Sequence, residues 1–251
     1  MSAPLFLLED GTLVGVVAGS VLTLDGPEGH HAVTVSRMRS GQAILLADGS
    51  GSLAQCVVAK VGKRTLDATV EAMTFEPEPQ PRFTLIQALA KNDRDVMAVE
   101  IGTELGVDEV VPWEADRSIV RWRGDRAAKA ERKWLNTLIA ATKQARRSRI
   151  PALGAVADRV GVVARIESAD LALVLHESAK QPLSAMDAGS LPASGQVVLI
   201  VGPEGGISPD ELAAFVGAGA QSVRLGSTVL RTSTAGSAAI AVLSSLCRWR
   251  D

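Results

Sequence analysis

The chain has 251 residues, 47% of them hydrophobic and 22% charged, with a formal net charge of −2. This length holds one large or two ordinary domains, and the composition is that of a soluble globular protein rather than a disordered or fibrous one. No run of eighteen apolar residues is present, which excludes a membrane-spanning helix, and the opening residues Met1 to Asp10 lack the basic n-region of a signal peptide, so a cytoplasmic protein is expected.

Residues 1–74 alternate apolar and polar positions in short runs, as in Ala43-Ile-Leu-Leu-Ala-Asp-Gly49 and Gln55-Cys-Val-Val-Ala-Lys-Val61. Repeated short strands separated by turns such as Asp48-Gly49-Ser50-Gly51 predict a small antiparallel barrel. Its one helix is expected between His30 and Met38. Phe75-Glu-Pro-Glu-Pro-Gln-Pro-Arg82 carries three prolines at alternate positions, which hold an extended chain and mark a linker over 75–82. The second domain then occupies 83–251.

Phe83–Leu89 reads as a strand, Asp93–Leu105 as a helix stopped by Gly106, and Val107–Pro112 as the next strand. Strand, helix and strand in about thirty residues form a βαβ unit with a right-handed crossover. A long helix over Arg126–Arg147 places Trp134, Leu135, Leu138, Ile139, Ala141 and Ala145 along one side and cations along the other. From Arg117 to Arg149 there are eleven basic residues against two acidic ones, Asp125 and Glu131, a local excess of nine in a nearly neutral protein. That excess is the electrostatic footprint of a phosphate-backbone site. A further helix follows over Val156–Ser168, then a strand, Asp170–Leu175, ending in His176-Glu177, and an irregular connection over 178–196.

Val197-Val-Leu-Ile-Val201 is a run suited to a strand buried on both faces of a parallel sheet, and ligands bind beyond the carboxyl ends of such strands. Gly202-Pro-Glu-Gly-Gly206 follows and enters a helix with Ser208 as N-cap, Pro209 at its first position and Glu211 three residues after the cap. No Lys-Ser/Thr pair follows the glycines, so the loop is not a P-loop, and their spacing is not that of a dinucleotide fingerprint. Val223–Leu225 reads as a short strand. Gly226–Thr234 is then a hydroxyl-rich loop whose one full positive charge is Arg231, and a helix of small and aliphatic residues runs from Ala235 to about Leu246.

These residues carry a resemblance. Val201-Gly-Pro-Glu-Gly-Gly206, with Leu225-Gly226 and Val229-Leu-Arg-Thr232, resembles the cofactor-binding signature of the SPOUT methyltransferases. The similarity is to the family that methylates N3 of a uridine in small-subunit ribosomal RNA. Gln87-Ala-Leu-Ala-Lys91 with Asp93-Arg94, Thr103-Glu-Leu-Gly-Val107, Arg117-Ser118, Gln144 and Arg147 match the same family. His31, Val35, Arg37, Gly41 and Asp48-Gly49 resemble its PUA-like RNA-binding domain. Two positions depart from the pattern: Ile101 stands where the family usually has lysine, and Ser233 where it usually has glutamate.

The resemblance implies an α/β SPOUT domain with a parallel sheet and a trefoil knot behind a small PUA-like β-barrel. It implies S-adenosylmethionine as cofactor, a homodimer, and small-subunit rRNA or the assembled subunit as partner. Leu175, His176, Gly202, Gly205, Gly206, Leu225, Gly226 and Leu230 would hold the cofactor. Arg37, Lys91, Arg94, Arg117, Gln144, Arg146 and Arg147 would contact RNA.

The expected catalytic residues are Arg231, which stabilises a developing uracil anion, and Glu204; the proton acceptor could be Glu204, Glu177 or His176. A ribose 2′-O-methyltransferase would share the cofactor loops, and a non-catalytic RNA-binding protein would share the fold. His30, His31 and His176 show no zinc-ligand spacing, and Cys56 and Cys247 lie far apart, so neither a metal nor a disulfide is expected.

Overall fold

The computed structural model describes residues 3–249, and its chain forms two compact units. The first holds the chain up to Glu78 together with Thr142–Ile150; the second holds Pro79–Ala141 and the chain from Pro151. The return of Thr142–Ile150 to the first unit was not part of the single boundary expected at 75–82.

The first unit contains β1 (Leu5–Leu7), β2 (Val21–Leu24), α1 (Gly26–His30), β3 (Ala43–Ala47), β4 (Ser52–Val61) and β5 (Leu66–Phe75), in one sheet of order β1-β3-β4-β5-β2. Alternate positions point into its core: Ile44 and Leu46 from β3, Ala54, Cys56 and Val58 from β4, and Leu66, Ala68 and Val70 from β5 are buried. The antiparallel expectation holds for β2 to β5. It fails for β1, which pairs parallel to β3, and because β1 and β2 are opposite edges the hydrogen-bonded sheet does not close on itself. The helix begins earlier than expected, at Gly26-Pro27, and passes into a π-helical turn over His31–Val35. Arg149 bridges to Gly49 and Ser50, and Lys143 Nζ donates to Glu28 Oε1 at 2.5 Å, which ties the Thr142–Ile150 segment into this unit.

The second unit is a seven-stranded, wholly parallel sheet. Its elements are β6 (Arg82–Ala88), α2 (Arg94–Glu104), β7 (Glu109–Trp113), α3 (Asp125–Ala145, whose residues from Thr142 belong to the first unit), β8 (Ala152–Leu153), α4 (Arg159–Ser168), β9 (Leu171–Leu175), β10 (Gln181–Pro182), β11 (Gln196–Val201), α5 (Pro209–Gly217), β12 (Gln221–Arg224) and α6 (Thr232–Cys247). The strand order is β10-β12-β9-β11-β6-β7-β8.

Side chains of both sheet faces are buried, as the unbroken aliphatic runs require. Ile86, Val111, Val174, Val198 and Ile200 pack with Val162 and Ile166 of α4 and Phe215 of α5, and the Trp113 and Phe215 rings meet edge-on at 5.3 Å. On the other face lie α2 and α6. Gly236 lets α6 approach closely, since a Cβ there would stand 2.8 Å from Leu85 Cδ1. α6 starts three residues before the expected Ala235: Arg231 is its extended N-cap, and the hydroxyl run Thr232-Ser-Thr234 is its first turn rather than loop.

Candidate active site at the carboxyl edge of the sheet

Because the sheet is parallel, β9, β11 and β12 end on the same edge, at Leu175, Val201 and Arg224. Their following loops enclose a cavity of about 630 Å³, a size suited to a cofactor. Leu175, His176, Gly202, Gly205, Gly206, Leu225, Gly226 and Leu230, the expected cofactor residues, all line it, as do Arg231 and Glu204. The structure adds Glu177, Arg224, Thr228 and Thr232 to the wall. Of these, Glu177 was picked out from sequence as a possible proton acceptor and Thr232 as part of the signature. Arg224 lies in a strand and carried no motif.

The glycines do different work. At Gly202 a Cβ would stand 2.6 Å from Ile207 Cγ1, so only glycine lets the loop fold back on itself; at Gly206 the backbone is left-handed, with φ +75°. Ser208 and Glu211 form the expected capping box of α5. The fully buried Glu211 carboxylate accepts from Ser208 N at 2.9 Å and from Asp116 N at 2.7 Å, anchoring the end of the glycine loop to the segment after β7.

Arg94 and Arg117, expected at an RNA surface, are walls of this cavity. Arg117 Nη1 donates to Gly205 O at 3.1 Å, and Arg94 Nη1 lies 3.3 Å from Glu204 Oε1. The Lys91 backbone N–H also donates to Glu204 Oε1, at 3.2 Å, so Lys91 reaches the glycine loop through its main chain. Asn92 and Asp93 between them are both left-handed, with φ +55° and +56°. Two consecutive non-glycine residues in that region cost of order 1–2 kcal/mol each, and the Asp93 carboxylate is held by Lys133 of α3 at 2.6 Å. Arg37, Gln144, Arg146 and Arg147 belong to the first unit, where Arg37, Gln144 and Arg146 are exposed and Arg147 is half-buried.

Four arginines face two glutamates in the cavity wall, which makes it electropositive. Among the described residues the guanidinium groups of Arg231 and Arg224 have no hydrogen-bond or ion-pair partner, and neither does the Glu177 carboxylate. His176 Nδ1 accepts from Ser178 N at 3.2 Å and faces Ser178 Oγ at 2.8 Å. This assigns the ring proton to Nε2 in the neutral form.

The two departures from the family pattern lie outside the cavity lining: Ser233 is buried in the first turn of α6, and Ile101 is half-buried on α2. The basic excess between Arg117 and Arg149 divides in a way the sequence did not reveal. Arg121 is held by the carbonyls of Ala115 and Asp116, Arg123 by Glu114, Lys133 by Asp93 and Lys143 by Glu28. Arg126, Lys129 and Arg132 stay exposed on α3. No group of three His, Cys, Asp or Glu side chains among the described residues is placed to hold a metal ion.

The sequence matches the profile of an RNA methyltransferase domain over residues 76–244 and that of an RNA methyltransferase PUA domain over 24–71. Together they define a two-part RNA methyltransferase. A ribosomal RNA small subunit methyltransferase E from Mycobacterium tuberculosis is 43% identical over 92% of this chain and 89% of its own; one from Bacillus subtilis is 30% identical over 88% and 89%. Among solved structures, the enzyme of that name from Neisseria gonorrhoeae, bound to S-adenosyl methionine, superposes with a TM-score of 0.81 at 28% identity over 98% of both chains. A putative methyltransferase from Legionella pneumophila with bound SAM gives 0.84 at 28% identity, again over 98% of both chains. The chain belongs to the ribosomal RNA small subunit methyltransferase E family.

Proposed function

We propose that the protein transfers a methyl group from S-adenosylmethionine to N3 of a uridine in small-subunit ribosomal RNA. The observation that carries this reading is the single cavity in which three loops from the sheet edge meet beside Arg231, an arginine with no partner among the described residues. The lining fits the cofactor. Leu175, Val201, Leu225 and Leu230 offer apolar walls for an adenine, the glycines admit close backbone approach, and cations are available for a carboxylate. When bound, the cofactor supplies a methyl group activated by its sulfonium.

The acceptor nitrogen must lose its imide proton as the new N–C bond forms. A guanidinium offers hydrogen-bond donors and no acceptor, so Arg231 acts as the electrostatic partner of the uracil oxygens as they gain negative charge, not as the base. Glu204 Oε1 is already engaged by Arg94 and by the Lys91 N–H. Its role in this reading is to hold Arg94 and the glycine loop together. With Nδ1 turned to Ser178, His176 presents a donor. That leaves the Glu177 carboxylate, exposed and unpartnered among the described residues, as the proton acceptor, directly or through one water.

The same proposal includes RNA contact by Arg37, Gln144, Arg146 and Arg147 of the first unit, a cytoplasmic location, the trefoil knot implied by the resemblance, and a homodimer, for which the exposed Val229 and Leu230 supply apolar surface. The test is transfer of labelled methyl to small-subunit rRNA and to assembled subunits, with the modified nucleoside mapped. N3-methyluridine is expected, with turnover about 10²–10³-fold lower in Arg231→Ala. A 2′-O-methylated product, or full turnover without Arg231, would refute it.

A further inference from the structure

Gln87 lies in β6, fully buried between the sheet and α6, and among the described residues is the one fully buried amide side chain. A polar group so desolvated persists only where its bonds matter. Its Nε2 donates to Thr232 Oγ1 at 2.8 Å and to Ala88 O at 3.1 Å. Thr232 Oγ1, itself buried, donates its single proton to Gly202 O at 2.7 Å. A hydroxyl has one proton, and the carbonyl can only accept, so the direction of the chain is forced: amide to hydroxyl to carbonyl. The reverse amide orientation would place two acceptors against each other. The Gln87 carbonyl oxygen is consequently left buried with no hydrogen-bond partner, an unfavourable arrangement that the Nε2 bond must outweigh.

The middle and the accepting end of this chain are mechanistically loaded. Gly202 opens the glycine loop, and Thr232 directly follows Arg231, the N-cap of α6. We propose that Gln87 and Thr232 are positioning residues that lock the glycine loop to Arg231, so that the cofactor wall and the cationic group move as one body. The sheet supplies the fixed reference, because Gln87 pairs in register with Val201, the residue just before the loop. The inference deepens the methyltransferase reading and rests on it for its consequence in turnover, but not for the coupling itself.

The test compares full-length wild type with Thr232→Val, which keeps the shape and removes the hydroxyl, Thr232→Ser, which keeps the hydroxyl, Gln87→Leu, and the Thr232→Val/Gln87→Leu double variant. Amide hydrogen exchange of 202–207 in the cofactor-free protein is the first readout. Thr232→Val and Gln87→Leu are expected to speed exchange there about tenfold while amides of β11 and α5 keep their protection, and Thr232→Ser to stay within about twofold. Calorimetric affinity for S-adenosylmethionine should fall about tenfold in the first two, with the double variant no worse than either single. Unchanged exchange in Thr232→Val, failure of serine to rescue, additive effects, or loosening spread evenly over the domain would each overturn the relay. The exchange arm needs neither cofactor nor RNA. A wild-type protein that moves no methyl would therefore sink the functional reading and leave the relay standing, whereas normal turnover with a rigid loop in Thr232→Val would do the reverse.

Discussion

Gly226→Ala separates the space a ligand occupies from the space the fold needs. Gly226 lines the cavity, its φ lies outside the left-handed region, and a Cβ built on it meets no atom within 4 Å. The added methyl therefore sits in open volume, and the stability change should stay within about 0.5 kcal/mol, or about 2 °C in Tm for a chain of this size. If the cofactor packs against that wall, the same methyl overpacks the complex at a cost of about 1–3 kcal/mol, a loss of roughly five- to 150-fold in affinity. Two other glycines of the cavity provide the contrast. Gly202→Ala drives its Cβ to 2.6 Å from Ile207 Cγ1, and Gly206→Ala forces a side chain into the left-handed region; each should lower stability by about 1–3 kcal/mol before any ligand is added. Thermal melts of the free proteins and calorimetric titration with S-adenosylmethionine read both quantities. Wild-type affinity in Gly226→Ala would show that no ligand approaches this wall, and a melt as low as that of Gly202→Ala would show that the apparent open space is filled.

Replacing Arg126, Lys129 and Arg132 together with alanine should reduce the slope of log affinity for RNA against log salt by about 2–3, since each released contact contributes roughly 0.7–0.9. Arg123→Ala, which removes a cation already held by Glu114, should change the slope by less than about 1; equal effects from the two variants would discard α3 as the RNA face. Burial, reinforced by the charge of Glu71, pushes the Cys56 thiol up to about 11, so Cys56 should resist thiol reagents at pH 8 until the protein is denatured; rapid native labelling at Cys56 would contradict its placement. Burial by itself would raise the Asp48 carboxyl, but hydrogen bonds from Ser50 and Ser52 outweigh it and leave the group below its ordinary 3.8. Its contribution is then present above that value and lost as pH falls through the lower folded-state value. Asp48→Asn should accordingly flatten the acid limb of urea midpoints measured between pH 7 and pH 3, and an unchanged limb would reject the assignment.

Local chemistry made much of this molecule legible. The aliphatic run at Val197–Val201 could only be an interior strand, Ser208-Pro-Asp-Glu211 could only open a helix, and the glycine loop between them had to lie at the carboxyl edge of a parallel sheet. The residues that the resemblance named for the cofactor line one cavity. What the sequence could not reveal depends on partners distant along the chain. The parallel pairing of β1 with β3 is not legible in alternation, which is the same for either direction. The first turn of α6 carries the hydroxyls of a loop, and only the buried bond from Gln87, 145 residues away, explains Thr232 there. The basic count predicted one charged surface, but a cation's availability depends on whether a carboxylate or carbonyl lies within reach. Tertiary structure therefore decided that Arg121, Arg123, Lys133 and Lys143 have carboxylate or carbonyl partners, that Arg94 and Arg117 face the cavity, and that Arg126, Lys129 and Arg132 remain exposed. Sequence determined the main strands and helices and the sheet edge where the glycine loop lies; the folded chain determined the short strands β8 and β10 and which charges are free, because pairing is a property of distance in space.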